Sequence, residues 1–294
     1  MSNFVILGDS TCDLSKELRD KYSIEYVAMN YILDDKEYSA SLDWEHHTPK
    51  EFYDLMRNDK RFLTTQVPRE VYTQAFSSYL KEGKDVLYIS CSSALSGSIN
   101  LAKVIAEELK EEYPDNKIIC IDSLISSLGQ GYMLIHASKM REEEKSIEEI
   151  AEYIEANKLK VNQFGTVASL NYLRRAGRVK ASSAFFGNLF GIKPIIISDI
   201  LGQNYAIEKV KGSLNAKLKI AEHISEIVEN TDCLYISHAD CLEDAELLKE
   251  KVLEVVPFKN VIIGTIGPIV GSCVGPGTII AFCLGKEVTV EGRE

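Results

Sequence analysis

Several things that would direct a reading are missing from this sequence. No apolar run approaches the roughly 18 residues that a membrane-spanning helix needs, so no stable membrane insertion is expected. Basic side chains are in the minority, 33 Lys and Arg against 44 Asp and Glu. The resulting net charge of −11 argues against a nucleic-acid or anionic-membrane surface. The seven cysteines are odd in number and scattered, with no C-x-x-C pair, which points to reduced thiols in a cytoplasmic protein. Residues 1–8 carry no basic region and run directly into a strand pattern, so no signal peptide is expected. Internal repeats, low-complexity segments and a P-loop are absent as well. What remains is an ordinary globular composition, 45% apolar and 26% charged, and 294 residues are long enough for two domains.

The chain is organised around Ile89-Ser-Cys-Ser-Ser-Ala-Leu-Ser-Gly-Ser98. The apolar run 85–89 before it reads as a buried strand, and Ala102, Ile105, Ala106 and Leu109 after it fall at helical spacing. The serines therefore occupy a strand-to-helix loop at the carboxyl end of a strand, where open α/β sheets bind ligands. Five hydroxyls beside the unpaired amides of a helix start suit an anion, and Gly97 permits close backbone approach. An ordinary serine-rich helix cap is the competing reading.

Other segments repeat the pattern. Residues 4–7 form a first strand ending in Gly8-Asp-Ser-Thr-Cys-Asp13, where Asp9 and Asp13 read as loop-stapling and capping residues. Thr48-Pro-Lys-Glu51 and Ser146-Ile-Glu-Glu149 are capping-box helix starts. Leu63-Thr-Thr-Gln-Val-Pro68 places hydroxyls before a helix, either as caps or as donors facing the serine loop. Strand and helix patterns alternate up to residues 157–162, which implies a mostly parallel sheet and a domain boundary there: 1–160 and 161–294. In the second half, Leu170–Val179 carries Arg174, Arg175 and Arg178, which can neutralise a phosphate or carboxylate or remain solvated. Ala184, Phe185, Phe186, Leu189 and Phe190 read as core, or as the wall of an apolar pocket. Residues 267–277 hold four glycines and two prolines, a path that regular structure does not require and that implies close approach. His46 with His47, and His238 with Cys233 and Cys241, lack the spacing of a metal site.

Taken together, GDSTCD, LTTQVP, ISCSSALSGS, IDSLISSLGQG, LNYLRRAGRV and IGPIVGSCVGPG resemble the DegV family of bacterial fatty-acid-binding proteins, in order and over nearly the whole chain. The resemblance implies an N-terminal α/β domain with a parallel sheet, and a C-terminal α/β domain on an antiparallel sheet with the ligand between them. It implies one long-chain fatty acid, its carboxylate bound by Thr64 and Ser96 with Thr65 and Gly97 close by. It also implies no cofactor, and a separate fatty acid kinase that converts the bound acid to an acyl phosphate. Arg178 is then expected to steady phosphate charge, with Arg174 as a second candidate. Lys211 stands where arginine is common, and Cys273 stands where the pattern G-x-H-x-G-P-G expects histidine. A thiol cannot replace an imidazole donor, so coupling to the kinase is what this departure touches. A hydrolase using Ser96 or Cys273 as nucleophile, and a small-molecule sensor or metal module, are the readings from other classes. Ser96 lacks the first glycine of a G-x-S-x-G elbow, because Ala94 stands there.

Overall fold

The computed structural model of the chain describes residues 3–180 and 191–292. Four short apolar runs, β1 (Phe4–Asp9), β2 (Ile24–Val27), β6 (Asp85–Ser90) and β7 (Ile118–Asp122), form an all-parallel sheet in the order β2-β1-β6-β7. β1 is buried along its whole length, as a strand covered on both faces must be. Helices α3 (Arg69–Lys81) and α4 (Ser98–Leu109) pack against this sheet, as do α1 (Lys16–Tyr22), α5 (Leu128–Glu142) and α6 (Ile147–Asn157).

A small antiparallel sheet, β4-β3-β5, interrupts that rhythm with β3 (Asn30–Leu33), β4 (Lys36–Ser39) and β5 (Phe62–Thr65). Between β4 and β5 lies α2 (Pro49–Arg57), started by the Thr48/Glu51 capping box. The Ser146/Glu149 capping box likewise opens α6.

From Val161 onward the strands belong to a six-stranded sheet, β10-β9-β8-β13-β11-β12. Its members are β8 (Val161–Thr166), β9 (Ile192–Ser198), β10 (Asn204–Lys211), β11 (Cys233–His238), β12 (Asn260–Thr265) and β13 (Ile279–Leu284). Antiparallel pairing dominates, and only β11 with β12 is parallel. α8 (Ser213–Ile227) and α9 (Leu242–Leu253) cover one face of it. α5 contacts both large sheets and is buried nearly all round from Leu128 to Ser138, as a helix between two sheets is.

One expectation fails here. The Gly- and Pro-rich stretch contains a helix, α10 (Pro268–Val274), with Pro268 in its first turn and left-handed glycines at 275 and 277 just beyond it. The implied close approach is real, but it is made by other parts of the chain. A Cβ on Gly271 would lie 2.5 Å from the Tyr53 hydroxyl, and one on Gly275 would lie 2.3 Å from the Tyr172 ring. The small residues let α10 sit against α2 and against α7 (Leu170–Ala176).

Candidate functional site

A cavity of about 230 Å³ lies where the loops after β1 and β6 meet α10 and the six-stranded sheet. Thr64, Thr65, Ser96, Gly97, Arg178 and Cys273 all line it. They come from β5, from the loop before α4, from the residues after α7, and from α10. Arg174 and Lys211 do not line it. Arg174 is on the exposed side of α7, and Lys211 is exposed at the end of β10.

The serine-rich loop is mostly occupied with itself. Asp9, fully buried, accepts from Thr11 N (3.0 Å), Cys91 N (3.1 Å), the Tyr88 hydroxyl (3.0 Å) and the Ser90 hydroxyl (3.3 Å). Ser92 Oγ accepts from Ala94 N, and Ser98 Oγ from Val67 N. Only Ser96 among the five serines reaches the cavity, and its hydroxyl bonds Ser98. Gly97 caps α4 without a side chain, and a Cβ there would meet Gln66 Oε1 at 2.7 Å. Across from it, Thr65 Oγ1 is buried with no hydrogen-bond partner. Thr65 lines the cavity near a helix N-terminus, and its hydroxyl is left without an acceptor in the protein.

Arg178 is the only charged side chain lining the cavity among the described residues. α7 ends at Gly177, left-handed at φ 67°, which turns Arg178 inward. Its Nε donates to Leu95 O at 3.2 Å and its Nη1 to Ala176 O, so the guanidinium ties the loop before α4 to the end of α7. Arg175 lies over the Tyr172 ring at 4.9 Å and lines a second, outer groove of about 560 Å³. Thr64, Thr65, Arg178 and Cys273 border both spaces, so the polar end of the cavity adjoins the groove. The remaining wall is largely apolar, with Met29, Leu173, Ile269, Val270 and Ile280.

Burial raises the Cys273 thiol above its ordinary value, opposed by the Arg178 charge and by a hydrogen bond from Thr64. A thiol held protonated is a poor nucleophile. No histidine lines the cavity or the groove among the described residues.

Asp13 connects the two halves. Its carboxylate accepts from Ser127 Oγ at 2.6 Å and from Gly267 N, the cap of α10, at 2.9 Å. Ser127 Oγ also lies 2.8 Å from Ser237 Oγ of β11. Burial pushes the Asp13 carboxyl up from 3.8 to about 7. The capping role read from sequence is thus carried out on a helix 254 residues away.

The other sequence candidates resolve simply. His47 Nδ1 bonds the Tyr31 hydroxyl at 2.7 Å, and His238 Nδ1 accepts from Cys241 N at 3.3 Å. Cys233 is at the opposite end of β11 from His238, and no group of three metal-binding side chains occurs among the described residues. No helix among them is long and apolar enough to cross a membrane. The apolar stretch with Ala184, Phe185, Phe186, Leu189 and Phe190 lies outside the described residues. Sequence reasoning missed Gln163 and Asn204, which line the cavity from β8 and β10. Polar residues at these two positions in a buried sheet face were the available signal.

The model of the family described as "Uncharacterised protein, DegV family" matches residues 3–286. A DegV domain-containing protein of Clostridium perfringens is 38% identical over 97% of this chain and 98% of its own length. Among solved structures, "Fatty Acid Binding of a DegV family Protein from Thermus thermophilus" superposes with a TM-score of 0.87 at 26% identity, covering 97% of this chain and 100% of that one. A stearic-acid-binding protein from Eubacterium ventriosum superposes at 0.85 with 26% identity, covering 96% and 98%. With the match spanning both large sheets and every segment that lines the cavity, this chain belongs to the DegV family.

Proposed function

We propose that this protein binds one long-chain fatty acid in the cavity, with the carboxylate among Thr64, Thr65, Ser96 and Gly97 and the acyl chain along the apolar wall. The observation that carries this is a mostly apolar cavity whose wall also includes Thr65 with its orphaned hydroxyl, the N-terminus of α4 and one guanidinium. A monoanion with an apolar tail satisfies all three, and two relatives of like fold are described as fatty-acid binders. The two halves meeting at the cavity support taking 1–160 and 161–294 as domains. The role is a cytoplasmic one, in keeping with seven free thiols.

The outer groove leads from this head group to the surface, past Thr64, Arg178 and Cys273. This supports presentation of the bound acid to a separate fatty acid kinase, with Arg178 against the phosphate. Cys273 offers no imidazole, so phosphorylation is expected to be weak and to rise in Cys273→His.

Extraction of lipid from gently purified protein, followed by mass spectrometry, tests the binding. About one fatty acid per chain is expected, with loss in a Thr64→Val/Ser96→Ala double variant. A chain that arrives empty and takes up no added fatty acid sinks the reading.

A further inference from the structure

Arg178 stands just past the seven-residue helix α7, and its long side chain has much rotamer freedom to lose in facing the cavity. Its backbone is held from two directions. Arg178 N donates back to Leu173 O at 3.1 Å, and Asn204 Nδ2, from the first residue of β10, donates to Arg178 O at 3.0 Å. Asn204 O also accepts from Lys180 N at 2.7 Å, so one residue of β10 grips the chain on both sides of Val179. The carbonyl of Arg178 can only accept, which fixes the Asn204 amide with Nδ2 toward Arg178 and Oδ1 away from it. Gln163 of β8, buried, fills that second place, its Nε2 donating to Asn204 Oδ1 at 3.0 Å. The guanidinium in turn donates from Nε to Leu95 O at 3.2 Å, one residue before Ser96. A chain of hydrogen bonds thus runs from β8 through β10 and Arg178 to the loop before α4, and Gln163, Asn204, Arg178 and Leu95 all line the cavity.

Resting on the fatty-acid reading, we propose that Asn204, oriented by Gln163, is a positioning residue for the head-group site. It sets the backbone from which the Arg178 guanidinium faces the carboxylate, and through Leu95 O it steadies the loop that carries Ser96 and Gly97. Asn204 acts through Arg178, so its contribution exists only while the guanidinium is present. Residues joined in one hydrogen-bond network show such coupling, whereas independent ones add.

The test is a double-mutant cycle on delipidated full-length protein, with palmitate affinity read by titration calorimetry at low and high ionic strength. Asn204→Leu, which keeps the size and loses both side-chain bonds, is expected to weaken binding about tenfold and to reduce its salt dependence. Added to Arg178→Leu, the same change should alter affinity by less than about twofold. Gln163→Leu, which leaves Asn204 to bond Arg178 unaided, should weaken binding about threefold, again only while Arg178 is present. It carries the cycle if Asn204→Leu disturbs β10. Equal losses with and without Arg178 mean that the amides act on the ligand or on the fold at large, and the inference is overturned. The absence of any loss overturns it as well. If the wild type itself takes up no palmitate, the fatty-acid reading fails and takes the inference with it.

Discussion

Asp13 gives this fold a stability that falls as pH rises. Its carboxyl is raised from 3.8 to about 7 by burial, so between those values the folded chain holds a proton that the unfolded chain releases. The contribution is fully present below about pH 4 and is lost as pH climbs through 7. At about 1.4 kcal/mol per decade the whole loss is about 4 kcal/mol, of which about 2.5 kcal/mol falls between pH 5 and pH 8. Asp13→Asn keeps an oxygen for Gly267 N and removes the titration. Urea unfolding of both proteins at pH 5, 6, 7 and 8 isolates the effect, because every other titrating group is common to the pair. The wild type should lose about 2.5 kcal/mol relative to the variant across that range. Parallel curves refute the reasoning. A wild type that gains on the variant means that Gly267 N and the α10 terminus outweigh burial and keep the carboxylate charged.

Thr65→Val should lower fatty-acid affinity about tenfold while leaving the unfolding free energy within about 1 kcal/mol of wild type, since no protein partner is lost; titration calorimetry and urea melts read the two separately. Arg178→Leu should weaken fatty-acid binding by more than tenfold and flatten its salt dependence, because the charge lining the cavity is gone; titrations at low and high ionic strength decide this. Cys273 should react with iodoacetamide more slowly than a small free thiol at pH 8, and more slowly again with fatty acid added; peptide mass spectrometry over a time course would expose equal rates, which contradict the assigned position.

The sequence was most legible where structure is made locally. Both capping boxes, at Thr48 and Ser146, are four-residue devices, and both helices begin where the pattern puts them. The parallel order of strands in the first half followed from alternation with helical periods. β4 escaped notice because Lys36–Ser39 is short and polar, and its pairing with β3 is a tertiary fact. α10 escaped because glycine and proline argue against a helix, and the packing that favours it, against Tyr53 and Tyr172, is supplied from distant segments. At the site, the motifs named six residues that the fold brings around one cavity. The arginines were harder, because which of three faces inward depends on how α7 ends at Gly177. The roles of the five serines were not readable either, since Asp9 and the strand packing decide which hydroxyls are consumed.

The head-group residues are far apart in the chain, from Thr64 to Cys273, and they hang on β5, α4, α7 and α10. On the fatty-acid reading the site exists only when these four elements are packed together, so a chain that unfolds globally loses its ligand. By mass action the converse holds, and a ligand present at a hundred times its dissociation constant would add about 2.7 kcal/mol to the folded state. On the same reading, bound ligand would lower the fraction of unfolded, protease-sensitive chains, and a copy without ligand would be cleaved faster.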